Sequence, residues 1–255
     1  MANVSDISNL FSLEGRVALV TGASSGLGRR FAHVLAAAGA DVIVTARRED
    51  RLTELANELS PRALAIACDL ASADARRELL EQLSDYPALD VLVNNAGAYD
   101  DQPLEDQELE DLDRILNLNL LAAIDMCRLC APKLFASSAP SVINIASMYG
   151  IVGASGPMAA YSASKGGLVN FTRNLASQWG RRGVRVNAIC PGYFPSELSG
   201  DLTQQPLSDA IRRRTLLKRP PAPSELDGPL LFIASSASSY VTGHSLVVDG
   251  GWVAV

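Results

Sequence analysis

The sequence predicts an α/β chain built on a doubly wound parallel sheet of about seven strands, with helices on both faces. Short β-branched runs alternate with helical patterns along the chain, the order that parallel strands joined by crossover helices require. The runs VALVTG, VLVNNAG and VINIAS are also apolar nearly throughout. Strands covered by helices on both faces read this way, whereas half-exposed strands alternate.

The elements follow in order. RVALVTG (16–22) opens the sheet and leads into GRRFAHVLAAAGA, a helix expected to run to Ala38 and stop at Gly39. DVIVTAR (41–47) and ALAIACDL (63–70) are the next strands, each followed by a helix, EDRLTELANELS and DARRELLEQLSDY. LDVLVNNAG (89–97) is joined to SVINIAS (141–147) by one long helix over 109–135. A helix through 157–180 and the strands VRVNAICPG (184–192) and SLVVDGG (245–251) complete the set. Between those last strands, residues 192–224 are rich in prolines and polar residues and carry no core pattern. A loop of that length in a compact domain is usually functional. It follows a strand's C-terminal end, where open α/β sheets bind ligands, so it reads as a substrate lid.

At 255 residues and 48% hydrophobic, the chain reads as one domain over 1–255, with 1–12 as an N-terminal extension. That length buries a core without metal or disulfide support. A net charge of -6 argues against a general grip on nucleic acid phosphates. The N-terminus has neither a basic start nor an apolar run before a cleavage site, and no long uncharged apolar stretch occurs elsewhere. The expectation is a cytoplasmic protein with no membrane partner. Cys127 and Cys130 form a CxxC inside the long helix without a second pair or a nearby histidine. They read as buried thiols, and no metal site is expected.

Two constellations carry chemistry. Thr21-Gly22-Ala23-Ser24-Ser25-Gly26-Leu27-Gly28 stands between the first strand and the first helix. A glycine turn entering a helix lets the backbone approach a pyrophosphate, and the exposed N–H groups and helix dipole favour the anion. The spacing is G-x-x-x-G-x-G rather than G-x-G-x-x-G, so on its own the segment also fits a plain βα turn. The second constellation is Tyr161 and Lys165, four apart and so on one helix face. An ammonium about 4 Å away is worth roughly 4 kcal/mol at an effective dielectric of 20, which would bring a phenol down by about three pKa units and make it a usable acid and base. Alone, Y-x-x-x-K is more often a solvated helix face than a site.

TGxxxGxG is similar to the signature of the short-chain dehydrogenase/reductase family. Asn94-Asn95-Ala96-Gly97 resembles that family's NNAG, and Pro191-Gly192 and VTGHSLVVDGG continue the likeness, which covers residues 13 to 251. The resemblance implies a Rossmann-like fold and hydride transfer with a nicotinamide cofactor. It places Asp69, with Leu70 beside it, at the adenine. Asn95, Ala96, Gly97, Pro191 and Gly192 fall along the cofactor, and Ser196 replaces the threonine that meets the nicotinamide carboxamide. It assigns Ser147 the substrate-polarising hydroxyl and Asn119 a water linking Lys165 to solvent. It also implies a homodimer or homotetramer through helices near 105–135 and 157–180. From Ser147 to Tyr161 the chain is one residue longer than in the commonest relatives, so 153–156 should loop out.

The second strand ends Thr45-Ala46-Arg47-Arg48. NAD-selective relatives carry a carboxylate where Ala46 stands, and an arginine fork at Arg47 suits a 2′-phosphate. NADP(H) is therefore the preferred cofactor and NAD(H) the alternative. Solvation of Arg47 and Arg48 is the competing reading, and Ser25 stands where many NADP-dependent relatives have a second basic residue. Met148, Tyr149, Met158, Tyr193 and Phe194 are expected around a ketone, aldehyde or acyl substrate. The expected activity is a carbonyl reductase or alcohol dehydrogenase. The alternatives are a 3-oxoacyl-thioester reductase and an NAD-dependent hydroxy-compound dehydrogenase. A nucleotide sensor would not need Tyr161 and Lys165, and a halohydrin-type lyase would not need the glycine loop. The basic run Arg212, Arg213, Arg214, Lys218 and Arg219 suits either a phosphorylated carrier or a solvated face.

Overall fold

β1 (Val17–Thr21) lies inside a sheet completed by β2 (Asp41–Ala46), β3 (Leu64–Ala67), β4 (Val91–Asn94), β5 (Ser141–Ile145), β6 (Arg185–Pro191) and β7 (Ser245–Val248). The structure is a computed structural model describing residues 4–59, 63–197, 202, 205 and 207–255. All seven strands are parallel, in the order β3-β2-β1-β4-β5-β6-β7. The chain winds outward from β1 to β3, then returns past β1 to start again at β4. The crevice between the C-terminal ends of β1 and β4 is where such sheets hold ligands.

The connecting helices are α1 (Gly26–Ala37), α2 (Glu49–Leu59), α3 (Ala73–Glu81), α4 (Leu109–Leu116), α5 (Ala122–Ala136), α6 (Ala159–Trp179), α7 (Leu207–Arg214) and α8 (Asp227–Ala234). Alternate strand residues serve opposite faces, as the pleat dictates. Ala18, Val20, Val42, Val44, Val91 and Val93 pack with α1, α2 and α8. Leu19, Ile43, Leu92 and Val142 pack with α3, α5 and α6. This two-sided burial is what the unbroken apolar runs predicted.

Two elements differ from the sequence reading. The long helix expected over 109–135 contains a π-helical turn at Asn117–Leu121 that separates α4 from α5. Its buried Asn119 bonds to a neighbouring loop and to α6, and such insertions widen a helix locally. Within 192–224, α7 is regular because Ile211 anchors one face in the interior. The remainder of the expected lid at 198–201, 203, 204 and 206 lies outside the described residues.

The span Leu109–Ala136 is long and apolar enough to cross a membrane. Ala122, Met126, Cys127, Cys130 and Leu134 nevertheless face the sheet, which accounts for the apolar stripe. Burial pushes the Cys127 thiol up to about 12, so this CxxC is an inert part of the core.

Candidate active site

At the end of β1 the Thr21 hydroxyl accepts N–H bonds from Asn95 (2.9 Å) and Ala96 (3.1 Å) and donates to the Val93 carbonyl at 3.2 Å. The Asn95 amide donates to the carbonyls of Thr21 (2.9 Å) and Gly22 (3.2 Å). Asn95 therefore braces the glycine loop. Gly22 has φ +66, and a Cβ there would stand 2.7 Å from the Ala96 Cα; at Gly28 it would stand 2.3 Å from the Gly22 carbonyl oxygen. Only glycine lets the two loops and the start of α1 close up in this way. The Ser25 side chain does not cap α1, which leaves the first-turn N–H groups facing the cleft in front of them.

That cleft has a volume of about 590 Å³, and every cofactor position expected from the sequence, from Gly22 to Ser196, lines it. Its size lies within the usual range for ligand sites. The arginines divide differently from the expectation. Arg47 is exposed, whereas Arg48 turns back over the glycine loop, its guanidinium donating to Ser24 (3.1 Å) and Ser25 (2.9 Å). Arg48 thus supplies beside Ser25 the positive charge that the loop itself lacks. It also pairs with Glu197 at 2.8 Å, a residue the sequence reading did not single out. Asp69 accepts the Ala71 N–H through one carboxylate oxygen. Ser196 packs against Gly26 at the start of α1, beside the glycine loop.

Ser147, Tyr161 and Lys165 converge in the same cleft beyond the C-terminal end of β5. Ser147 starts a short helical turn, its hydroxyl accepting the Tyr149 N–H at 3.1 Å. The Lys165 ammonium donates to the Ile145 carbonyl at 2.8 Å and lies 5.7 Å from the centre of the Tyr161 ring. Here the sequence expectation needs correction. Burial raises the Tyr161 phenol above its ordinary value, with a hydrogen bond to Ser147 acting in the opposite direction. The lysine responds to burial too and is lowered to about 8. Desolvation of both groups outweighs the simple ammonium–phenol attraction because the ammonium is directed at the β5 carbonyl.

Asn119 lies behind the cleft wall. Its oxygen accepts the Ala98 N–H at 2.8 Å, and its amide donates to the Ala98 carbonyl (2.8 Å) and the Ser164 hydroxyl (3.0 Å). The side chain thus clamps the loop after β4 to α6. A second buried ladder runs from the Asn94 amide to the Asn144 oxygen (2.9 Å) and from the Asn144 amide to Thr172 (2.9 Å). Together these bonds fix the ends of β4 and β5 against α6.

Sequence reasoning missed Asp100. In the string Tyr99-Asp100-Asp101 it looks like a solvated loop acid, yet it is 8% exposed. Its carboxylate accepts the N–H of Tyr161 (3.0 Å) and of Ala160 (3.2 Å), capping α6 from another loop. No local signal identifies such a cap. Asp100→Ala is expected to destabilise the fold by about 1–2 kcal/mol and to lower kcat, with cofactor affinity little changed. Asp100→Asn should recover part of both, because its amide oxygen still accepts. Steady-state kinetics with thermal melts check this, and an unchanged kcat would leave Asp100 a helix cap only.

Beyond Tyr161 the cleft is walled by Met148, Tyr149, Met158 and Tyr193, as expected, and Trp252 packs behind them. The hydroxyls of Tyr149 and Tyr193 share a hydrogen bond of 2.8 Å, and Trp252 meets Tyr193 edge to face at 5.3 Å. Arg214 stacks over Trp252 at 4.6 Å. The expected loop at 153–156 is present, and a Cβ at Gly153 would meet no atom of the described residues within 4 Å.

A doubly wound sheet with a glycine loop at its switch point and a Ser–Tyr–Lys group at the mouth defines a dinucleotide-dependent oxidoreductase. A family profile described as enoyl-(acyl carrier protein) reductase matches residues 22–253, and the chain belongs to the classical short-chain dehydrogenase/reductase family. It is accordingly an NAD(P)-dependent oxidoreductase acting on CH–OH groups. The chain is 38% identical to a 2-dehydro-3-deoxy-D-gluconate 5-dehydrogenase of Escherichia coli, over 97% of this chain and 99% of the relative. A 3-oxoacyl-[acyl-carrier-protein] reductase of Rickettsia bellii is 34% identical, over 96% and 100%. Among solved structures, a gluconate 5-dehydrogenase from Burkholderia cenocepacia in complex with NADP and tartrate superimposes with a TM-score of 0.92. It is 32% identical, with 97% of this chain and 99% of that one covered.

Proposed function

We propose that the chain is an NADP(H)-dependent carbonyl reductase and alcohol dehydrogenase whose substrate is a hydroxy- or keto-acid of the sugar-acid type. The observation that carries this is the convergence of Ser147, Tyr161 and Lys165 in the cleft that also receives the uncapped start of α1. The residues present fit a nicotinamide dinucleotide. Ser24, Ser25, Gly26, Leu27 and Gly28 would hold its pyrophosphate, Asp69 and Leu70 its adenine, and Arg48, with Arg47 at the rim, its 2′-phosphate. Ala96, Gly97, Pro191, Gly192 and Ser196 would flank the nicotinamide half, which supplies or accepts the hydride.

The protein's own part is proton handling. The Tyr161 hydroxyl donates its proton to the carbonyl oxygen in reduction and takes it back in oxidation, while Ser147 donates a hydrogen bond to the same oxygen. Lys165, buried and lowered to about 8, steadies the phenolate through its charge. Asn119 and Asp100 hold the loop and the helix that set these distances. The same reading includes a dimer or tetramer through the helices near 105–135 and 157–180; on the first of these Leu109 and Leu121 are 67% and 54% exposed.

The sugar-acid class follows the names of the Escherichia coli and Burkholderia relatives. A 3-oxoacyl thioester is the second reading, favoured by the Rickettsia relative and by exposed Arg212 and Arg213. Assays of a 2-dehydro-3-deoxy sugar acid, simple ketones and acetoacetyl-CoA separate them. The expected result is turnover of the sugar acid with kcat/KM about tenfold or more higher for NADPH than NADH, from charge-assisted contacts to the phosphate. Turnover of the thioester alone would overturn the substrate class, and preference for NADH would overturn the assignment of Arg48.

A further inference from the structure

The donors beside the glycine loop already serve an anion of the protein's own. Arg48 donates to Ser24 and Ser25 and pairs with Glu197 at 2.8 Å. Arg51, one turn along α2, pairs with the same carboxylate. The Ser25 hydroxyl contributes a further hydrogen bond, and these contacts hold the Glu197 carboxyl down to about 2. Glu197 is therefore an anion at any working pH. It lines the same cleft as Arg47, Arg48, Ser24 and Ser25, so its carboxylate rests on donors that a 2′-phosphate would use.

We propose that Glu197 is a cofactor-selectivity residue: its carboxylate takes the place of the 2′-phosphate on Arg48 and Ser25 in the free protein and competes with that phosphate when NADP(H) binds. The inference rests on the NADP(H) reading above. Two anions cannot share one guanidinium edge and one serine hydroxyl without repulsion, so phosphate entry must break or weaken the Arg48–Glu197 pair. Arg51 offers the displaced carboxylate a second partner. Arg48 and Glu197 are 40% and 50% exposed in their side chains, so solvent screens the competition and makes it a graded penalty. Glu197 thereby keeps discrimination between NADP(H) and NAD(H) below what Arg48 alone would give.

Adenosine 2′,5′-bisphosphate and 5′-AMP differ only in the 2′-phosphate, which makes them suitable probes of the full chain by calorimetry. E197Q is expected to tighten the bisphosphate about tenfold at low salt, less at high salt, and to change 5′-AMP less than about twofold. In an R48A background the E197Q effect should vanish. If the wild type prefers the bisphosphate and R48A loses that preference, but E197Q changes nothing, the competition is refuted while the NADP(H) reading stands. If R48A and the wild type bind the bisphosphate alike, the cofactor reading fails and this inference fails with it. Weaker 5′-AMP and NADH binding in E197Q would instead assign the carboxylate to the ribose hydroxyls and overturn the proposal.

Discussion

Tyr161→Phe is expected to reduce turnover about 10³-fold while NADPH affinity stays within about twofold of the wild type, because in the proposed mechanism the lost hydroxyl is the proton donor and acceptor and most cofactor contacts lie elsewhere along the cleft. The ring stays in place, held by α6, which Asp100 caps, and by the wall of Met148, Tyr149 and Tyr193. What goes is one buried hydroxyl, raised above its ordinary value by burial and bonded to Ser147. Removing it should leave thermal stability nearly unchanged, so a loss of rate cannot be attributed to unfolding. Single-turnover kinetics with fluorescence titration of NADPH check the two halves separately. A Phe variant with full activity would remove Tyr161 from the chemistry and with it the proposed mechanism.

Asp125→Ala is expected to destabilise the fold by about 3 kcal/mol, because it strands a buried guanidinium. Arg76 in α3 and Asp125 in α5 pair at 2.6 Å, with side chains only 7% and 17% exposed. Arg128 donates to the other carboxylate oxygen at 2.8 Å. Arg76 also donates to the Leu70 carbonyl at 2.5 Å, so the pair ties α3 and α5 to the loop after β3. In a protein of this size the melting temperature should fall by roughly 6–12 °C. Calorimetry or a circular dichroism melt reads this directly, and a shift of less than about 2 °C would show that solvent or Arg128 compensates. Substitution of both residues by apolar ones of similar volume should restore much of the loss, since the charge is then no longer buried alone.

The sheet and its glycine loop could be read from the chain because their determinants are local. Strand runs buried on both faces are apolar at nearly every position, and Gly22 and Gly28 mark a turn whose surroundings stand too close for a side chain. Tyr161 and Lys165 were legible for the same reason, since a spacing of four places both on one face of α6. Ser147 required only the end of β5. Asp100 had no such signature: its partners are the N–H groups of Ala160 and Tyr161, sixty residues further on. Trp252 offered no more than a large aromatic after VDGG, and its seat behind Tyr193 depends on how the chain turns after β7. The π-turn at Asn117–Leu121 was read as plain helix because the partners of its buried Asn119, Ala98 and Ser164, belong to other segments.

The sequence by itself determined the class of fold, the glycine loop that borders the cleft and the pairing of Tyr161 with Lys165 on one helix face, since period, turn chemistry and residue spacing act over a few residues. Only the tertiary structure decided the electrostatics. It directs Lys165 at the Ile145 carbonyl, so burial governs Tyr161, and it brings Arg48, not Arg47, over Ser24 and Ser25. It also sets Glu197 against that arginine across some 149 residues of chain. Charges act through space and are weighted by how much water remains between them, and neither distance nor burial is written in the order of the residues.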